Sequence, residues 1–255
     1  NADVKTYKDQ VSNLKETKIA DVPENICFER IPGQGRSRLC EVEASYEHGG
    51  AACQLVAKGF LHRTKTADIA IQNGGGCRVD IEKGDFTIDD GYTMLPFSNT
   101  IVTLEMTGKD IIAVLEDALS SSHDGEDPST GAYPYVAGLL MGVDMSQAKG
   151  SRISNVEINK RLKATAWSKI DESATYIVAT NNYIAGGKDG YTTFATTAVS
   201  ATSTNTYMEY AQTMLDYAEE VKTLEAPPVS EMSTKSYICT NRPKHTPDKH
   251  PAQAA

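Results

Sequence analysis

An apolar run that ends in three consecutive glycines constrains the fold more than any other feature of the chain. Residues 68–72 read Asp-Ile-Ala-Ile-Gln, and Asn73 and the glycines at 74–76 follow directly. A short apolar run bounded by glycines is typical of a buried strand, because glycine weakens a regular element. The sequence therefore predicts a core strand over 68–72 that is followed directly by a loop.

That loop, residues 73–78, is the first of three segments that point to a bound ligand. The backbone N–H groups around Gly75 and Gly76 can point into one concavity and bind an anion. Arg78 adds a permanent, forked positive charge, and the amide of Asn73 suits a hydroxyl group or a base edge. The alternative is a flexible surface turn with a solvated Arg78. The spacing fits neither the dinucleotide-binding glycine pattern nor a P-loop.

The other two segments carry aromatic and acidic side chains. Pro96 fixes the backbone just before Phe97, so that the phenyl ring could stack on a base; the alternative is a core phenylalanine. Tyr183 and Asp189 follow the strand pattern at 176–180. Tyr183 could form a second aromatic wall, and Asp189 could accept hydrogen bonds from sugar hydroxyls. The alternative for Asp189 is a tight turn in which it caps backbone N–H groups.

Charge and hydropathy limit the partners. The 255 residues carry a formal net charge of −9 and are 40% hydrophobic. A uniformly acidic chain is a poor partner for a nucleic-acid backbone, although a few aimed donors can still bind a small anion. No apolar run approaches the roughly 18–20 residues of a membrane span. The composition predicts a globular protein that binds neither nucleic acid nor a bilayer core.

The five cysteines form no CxxC pair and no zinc-site spacing. Cys27 and Cys40 flank a strong turn signal at 32–35, Pro-Gly-Gln-Gly. A turn there would bring the two sulfur atoms together as a disulfide; the alternative is two buried thiols. A disulfide would imply an oxidising compartment.

The element pattern predicts one α+β domain. Helical spacing or capping signals predict helices over 3–17, 49–63, from Thr107 onwards and over 205–222. Strand patterns lie at 68–72, 101–106 and near 133–144, 152–158 and 174–180, and residues 25–46 are predicted to be extended with a hairpin. We expect a linker helix over 1–20, the domain over 21–225, and a partly disordered tail over 226–255, with disorder from 242. A chain that opens on a charged helix is typical of a mature product or of a piece of a longer protein.

Together, the three segments resemble the C-terminal domain of the 5′-nucleotidase family. The resemblance rests on the run 67–78, on Leu-Pro-Phe-Ser-Asn-Thr at 95–100 with Thr107-Gly108, and on 182–191, and it extends over about residues 1–225. The segments 32–37 and 132–135 look most like the bacterial periplasmic NAD-nucleotidase branch. The resemblance implies a layered α/β/β/α domain that binds a nucleoside or nucleotide.

The family holds a nucleoside between two aromatic rings, which by position would be Phe97 and Tyr183. Tyr183 stands where a phenylalanine is usual, and Cys77 replaces an aliphatic residue. The other implied ligand contacts are Asn73, Gly75, Gly76 and Arg78 in the glycine loop, Asn99 at the base, Asp189 at the ribose, and an upstream arginine that is either Arg36 or Arg38.

The family's chemistry is done by an N-terminal metallophosphoesterase domain that binds two divalent metal ions, such as zinc or manganese. Its Asn-His-Glu/Asp signature has no match in this sequence. The resemblance therefore implies no cofactor in this chain, a catalytic domain in cis, a periplasmic or secreted parent enzyme, and AMP, NAD or a UDP-sugar as its substrate. Two alternatives stay open: a stand-alone nucleotide-binding protein, and a complete hydrolase that uses Asp80, Asp89 or Asp90 as a base.

Overall fold

Three sheets and six α-helices make up the part of the chain that the computed structural model describes, residues 14–240. The strands are β1 (Lys18–Val22), β2 (Ile69–Asn73), β3 (Gly84–Thr87), β4 (Thr100–Thr107), β5 (Pro134–Ala137), β6 (Leu139–Asp144), β7 (Ile153–Ile158), β8 (Ser168–Lys169), β9 (Thr175–Asn181), β10 (Thr204–Glu209) and β11 (Thr234–Ile238). The helices are α1 (Ala51–Arg63), α2 (Ile88–Met94), α3 (Gly108–His123), α4 (Asn182–Ala185), α5 (Thr197–Ser200) and α6 (Tyr210–Val221). The prediction of an α+β domain is confirmed.

The five-stranded sheet forms the centre, in the order β10-β4-β9-β2-β5. All five residues of β2 are buried, because the strand lies between β9 and β5 and packs under α1. β2 runs parallel to β9 and antiparallel to β5. The predicted core strand is therefore confirmed, and its carboxyl end lies beside the carboxyl end of β9.

The second sheet has the order β11-β6-β7-β8, and a two-stranded sheet pairs β1 with β3. β11 lies within the segment 226–255 that was expected beyond the domain, and it pairs in parallel with β6. β1 begins at Lys18, inside the segment expected to be a linker. Residues 3–13 of the predicted first helix and the tail expected to be disordered, 242–255, lie outside the described residues.

A capping box starts α3, as the sequence predicts. The Thr107 hydroxyl accepts a hydrogen bond from the Asp110 backbone N–H at 3.1 Å, and the Asp110 carboxylate accepts from the Thr107 N–H at 3.1 Å. Two backbone donors that the helix leaves without a partner are satisfied in this way. The inward face of the helix, including Ile111, Leu115 and Leu119, is buried.

Replacing Thr107 by alanine is expected to lower the free energy of unfolding by about 1 kcal/mol, because the N-cap acceptor is lost. Chemical denaturation of the wild type and the variant measures the difference. Thr107→Ser keeps the hydroxyl and should remain within a few tenths of a kcal/mol of the wild type. Equal stability of all three proteins would contradict the capping role.

The prediction of a hairpin within residues 25–46 is wrong. Instead, the segment is irregular, with an isolated bridge from Ile26 to Ile81 and a short 3₁₀ helix, Val42–Ser45. The buried carboxylate of Glu29 accepts hydrogen bonds from the backbone N–H groups of Gly35 and Arg36. Since this acceptor satisfies the loop backbone, no partner strand is needed.

The helix expected over 205–222 begins later than predicted. Residues 204–209 form β10, which pairs with β4, and α6 begins at Tyr210. The Glu209 carboxylate accepts hydrogen bonds from the Ala211 and Gln212 N–H groups and so fixes the start of the helix. Tyr207, which lies in β10, is 85% exposed.

Two disulfides cross-link the described residues. Cys27 is bonded to Cys40, with 5.9 Å between the Cα atoms, which decides between the two readings of this pair in favour of the disulfide. A second bond joins Cys53 of α1 to Cys77, just after the three glycines. Within residues 14–240, none of the helices combines the length and apolar character that crossing a membrane requires.

Candidate functional site

The carboxyl ends of β2 and β9 bring the first two predicted ligand residues together. Asn73 is the last residue of β2, and its Nδ2 donates to Oδ2 of Asp189 at 2.8 Å. Asp189 lies in the turn that follows α4, 116 residues further along the chain. Contact between the predicted glycine loop and the predicted acid is therefore direct.

Asp189 is held in a backbone conformation that favours glycine. Its φ angle is 51°, and the flanking Gly187 and Gly190 also have positive φ angles of 78° and 76°. Left-handed backbone at a residue other than glycine costs on the order of 1 kcal/mol, which is typical of a functional or tightly constrained position. The turn thus directs the carboxylate towards Asn73.

Tyr183 supplies the second hydrogen bond to this carboxylate. Its hydroxyl donates to Oδ1 of Asp189 at 3.1 Å, while 43% of the residue stays exposed. Partial burial, together with the negative charge and the hydrogen bond of Asp189, raises the pKa of Tyr183. The phenol therefore stays protonated at neutral pH and acts as a donor. Each oxygen of Asp189 is held by one side chain.

Arg78 and Phe97 form a second contact group. The Arg78 Nη1 donates to the Gly75 carbonyl at 3.3 Å, and its guanidinium carbon lies 5.8 Å from the centre of the Phe97 ring. This distance is within the range of a cation–π interaction. The Arg78 backbone N–H donates to the Met94 carbonyl at 3.0 Å, which ties the glycine loop to the end of α2.

Tyr210, the first residue of α6, fixes the Phe97 segment through two hydrogen bonds. The buried Tyr210 hydroxyl accepts from the Phe97 N–H at 2.9 Å, and the Tyr210 N–H donates to the Asn99 carbonyl at 3.0 Å. With its backbone pinned on both sides, Phe97 leaves 45% of its surface exposed. Its ring lines an open groove with Tyr92, Pro96 and Gln212.

One further hydrogen bond connects the Phe97 and Tyr183 segments. The N–H of Thr100, the first residue of β4, donates to Oδ1 of Asn182 at 3.0 Å. Asn182 immediately precedes Tyr183, and Thr100 follows Phe97 by three residues. β4 and β9 also pair directly at this end, with Ile101 opposite Asn181. The segments that carry the two exposed rings therefore lie at the same end of the sheet.

The glycines at 74–76 form a compact 3₁₀ turn rather than a flexible one. A Cβ atom at Gly75 would come within 2.9 Å of the Gly131 Cα atom, and one at Gly74 within 2.9 Å of the Arg30 carbonyl oxygen. The Gly74 N–H donates to the Tyr133 carbonyl at 2.8 Å. Glycine is required here because neighbouring backbone segments approach closely.

The two upstream arginines lie on the loop that packs against this turn. The Arg36 N–H donates to the Glu29 carboxylate, and the Arg38 N–H donates to Asp80 Oδ2 at 2.8 Å. Asp80 follows Arg78 by two residues and also accepts from the Phe28 N–H at 2.6 Å. The structure thus fixes the backbone of the arginine loop next to the segment 73–80.

Residues 32–196 match the family described as 5′-nucleotidase, C-terminal domain. The chain belongs to this family. NAD 5′-nucleotidase of Haemophilus influenzae is 38% identical over 193 residues, which are 75% of this chain and 31% of that protein. A probable 5′-nucleotidase of Treponema pallidum is 35% identical over 190 residues, or 72% of this chain and 31% of that protein. The chain thus spans about a third of the length of these relatives.

Two solved structures share the fold of this 5′-nucleotidase domain. The structure of Haemophilus influenzae NAD nucleotidase superposes with a TM-score of 0.77 and 30% identity, covering 93% of this chain and 41% of that one. A 5′-nucleotidase precursor from Thermus thermophilus gives a TM-score of 0.75 and 29% identity, covering 94% and 43%. The family assignment made from sequence motifs is confirmed.

The three acids considered as a catalytic base each contact other residues of the domain. Both oxygens of Asp80 accept backbone N–H groups, Asp90 forms the capping box of α2 with Thr87, and Asp89 pairs with Lys15 at 3.0 Å. Over residues 14–240, no group of three or more His, Cys, Asp or Glu side chains is arranged to hold a metal ion.

Three residues of the site were not among those predicted. Tyr210 fixes the Phe97 segment, and Gln72 and Asn181 form a buried hydrogen-bonded chain with Asn73. The signal for the two amides is present in the sequence, since each is a polar residue at the end of an apolar strand pattern. Polar side chains at the carboxyl ends of neighbouring parallel strands lie side by side, and ligands bind preferentially there.

Proposed function

We propose that this chain is the nucleotide-recognition domain of a 5′-nucleotidase-type phosphohydrolase, and that it clamps a base between Phe97 and Tyr183. The observation that carries the proposal is the carboxylate of Asp189, held by Asn73 and by the hydroxyl of a half-exposed Tyr183. A carboxylate has about four acceptor positions, and these two bonds use two of them. The remaining positions suit the two neighbouring hydroxyls of a ribose.

The exposed aromatic rings support the base-binding part of the proposal. Tyr210 fixes the backbone of Phe97, which is 45% exposed, and the Phe97 segment lies at the same end of the sheet as the Tyr183 segment. Stacking on an aromatic ring contributes about 1–3 kcal/mol per base and tolerates any base. Asn99, two residues after Phe97, would then contact the edge of the base.

The positive charge of the site suits a phosphate. Arg78 supplies the guanidinium group of the glycine loop. This group donates a hydrogen bond to the Gly75 carbonyl and lies over the Phe97 ring. A bound phosphate could accept from the Arg78 guanidinium and from the N–H groups of Gly75 and Gly76. Arg36 or Arg38 would approach from the adjoining loop. These groups would hold and orient the substrate.

Bond cleavage is assigned to a metallophosphoesterase domain in the same polypeptide as this chain. A pair of divalent ions there would activate the attacking water and stabilise the phosphoryl transition state. The names of the relatives favour a nucleotide substrate such as AMP or NAD. The two disulfides favour a periplasmic or secreted location, because such bonds persist in oxidising compartments.

Adenosine is expected to bind the chain, and Phe97→Ala should weaken that binding by about 1–3 kcal/mol, or roughly 5- to 150-fold, because one stacking face is lost. Titration calorimetry measures both affinities. Ile238→Ala, which removes a similarly exposed apolar side chain (56%) from the other sheet, should bind as the wild type does. Unchanged binding by Phe97→Ala would remove the clamp from the proposal.

A separate experiment with AMP and added Mn²⁺ or Zn²⁺ tests whether this chain binds the nucleotide without hydrolysing it. We expect binding without turnover by this chain and hydrolysis by a polypeptide that also contains the metallophosphoesterase domain. Robust phosphate release by the chain alone would overturn the proposal. Comparing AMP, NAD and a UDP-sugar as substrates of the longer polypeptide then identifies the natural one.

A further inference from the structure

Three buried amide side chains lie in a row behind Asp189. Asn181, the N-cap residue of α4, accepts a hydrogen bond from the Ile184 N–H on Oδ1 at 3.1 Å. Because a backbone N–H can only donate, the Asn181 Nδ2 must point the other way, and it donates to Oδ1 of Asn73 at 3.1 Å. Its second hydrogen is donated to Oε1 of Gln72 at 3.0 Å.

The other end of the row fixes the same direction. The Asn73 oxygen is taken by Asn181, so its Nδ2 faces Asp189 and donates to the carboxylate at 2.8 Å. An ionised carboxylate can only accept. A donor-only group at one end and an acceptor-only group at the other therefore leave a single arrangement of the amides. Asn181, 1% exposed, is the residue that links the two ends.

We propose that Asn181 is a positioning residue for the ligand, which orients the Asn73 amide and thereby holds the Asp189 carboxylate ready for two sugar hydroxyls. This inference rests on the proposed function, since it concerns the ribose contact of the same site. Asn181 reaches the ligand only through Asn73 and Asp189. Turning its amide around would place the oxygens of Asn73 and Asp189 against each other.

A role confined to capping α4 predicts a different outcome. Loss of a cap lowers stability and loosens the Tyr183 segment, so that affinity for every nucleoside falls in parallel. A positioning role affects only ligands that carry the sugar hydroxyls. Adenosine and 2′,3′-dideoxyadenosine share the base and differ in those hydroxyls, so their affinity ratio separates the two roles.

Asn181→Asp tests the orientation directly. When ionised, the introduced carboxyl group can still accept from the Ile184 N–H but cannot donate to Asn73. Burial between two carbonyl oxygens favours its protonated form, which can donate, so the pH decides which state is present. Asn155→Asp, at an exposed position on β7, introduces the same charge in the other sheet and is the matched control.

The wild type and Asn155→Asp should prefer adenosine by roughly 10- to 100-fold between pH 6 and pH 9, as expected for hydrogen bonds to a charged group. Asn181→Asp should lose this preference at pH 9, keep its affinity for 2′,3′-dideoxyadenosine, and regain the preference as the introduced group is protonated. Wild-type preference in the variant at pH 9, or a parallel loss of affinity for both ligands, would overturn the inference.

Asn181→Ser covers the case in which a buried carboxyl group prevents folding. Serine keeps an acceptor for the Ile184 N–H and can donate only one hydrogen bond, so the preference for adenosine should fall about two- to tenfold at every pH. An undiminished preference would contradict the positioning role. If the wild type itself binds both nucleosides equally, the ribose contact of the proposed function fails, and the inference fails with it.

Discussion

Replacing Glu116 by alanine is expected to lower the free energy of unfolding by about 3–5 kcal/mol, because three backbone donors lose the buried carboxylate that accepts from them. Glu116 lies on α3 and is 5% exposed. One carboxylate oxygen accepts from the N–H groups of Arg152 and Ile153 at 2.7 and 2.8 Å, and the other from Gly150 at 2.9 Å.

These hydrogen bonds join α3 to the start of β7 and so connect the helix to the second sheet. Urea denaturation of the wild type and Glu116→Ala measures the difference. Glu116→Gln keeps one oxygen and should lie between the two, whereas Glu126→Ala, at an exposed position in the loop after α3, should stay within about 0.5 kcal/mol of the wild type. A loss below 1 kcal/mol for Glu116→Ala would show that water replaces the carboxylate without penalty.

The sequence predicts those elements whose signal lies within a few consecutive residues. The run before Asn73 is apolar over nearly its whole length and becomes the buried strand β2, and Thr107 with Asp110 forms the capping box that its spacing indicates. In both cases the sequence signal lies within a few consecutive residues, although β2 owes its burial to β5, β9 and α1. Such an element can therefore be predicted without knowing which segments it packs against.

Elements that depend on distant partners were predicted poorly. Residues 25–46 show strand-like patterning, yet the buried Glu29 and the Cys27–Cys40 disulfide organise them as a loop. β11 is polar enough to resemble a tail, and it is ordered because β6 offers a free edge. Secondary-structure propensity cannot reveal the Glu29 acceptor or the free edge of β6, since neither is visible in the local residue pattern.

The candidate site shows the same division. Asn73, Tyr183 and Asp189 were predicted, and the structure places them in one hydrogen-bonded group. Asn181 was overlooked because it ends a strand and caps a short helix, a role common to many asparagines. Only the parallel pairing of β2 with β9 shows that its amide faces Asn73.

Acidification is expected to destabilise the domain through His123. Burial, the largest cause, lowers the pKa of this residue from 6.5 to about 4. Its Nδ1 lies 3.2 Å from the Leu119 carbonyl, which can only accept, and 2.7 Å from the Ser122 hydroxyl. With the proton on Nδ1, Nε2 accepts from the Tyr237 hydroxyl at 2.6 Å. The neutral ring thus links α3 to β11.

The sign follows from the lowered pKa. Above pH 6.5 the ring is neutral in both the folded and the unfolded chain, and its contribution to stability is complete. As the pH falls from 6.5 towards 4, the unfolded chain gains a proton that the folded protein does not accept, and stability is lost. Between pH 7.5 and pH 4.5 the loss is about 2.5 kcal/mol, from 1.36 kcal/mol per pH unit and the rounding near each pKa.

Comparison with His123→Phe isolates this contribution. Phenylalanine keeps a ring against Tyr133 and Tyr237 but cannot titrate, so it should be less stable than the wild type at pH 7.5 and should lose about 2.5 kcal/mol less on acidification to pH 4.5. Carboxylates that protonate in this range affect both proteins and cancel in the difference. Urea denaturation at the two pH values provides the four free energies, and equal losses in both proteins would contradict the role of His123. Because Tyr237 lies on β11, amide hydrogen exchange should show that strand opening first as the wild type is acidified.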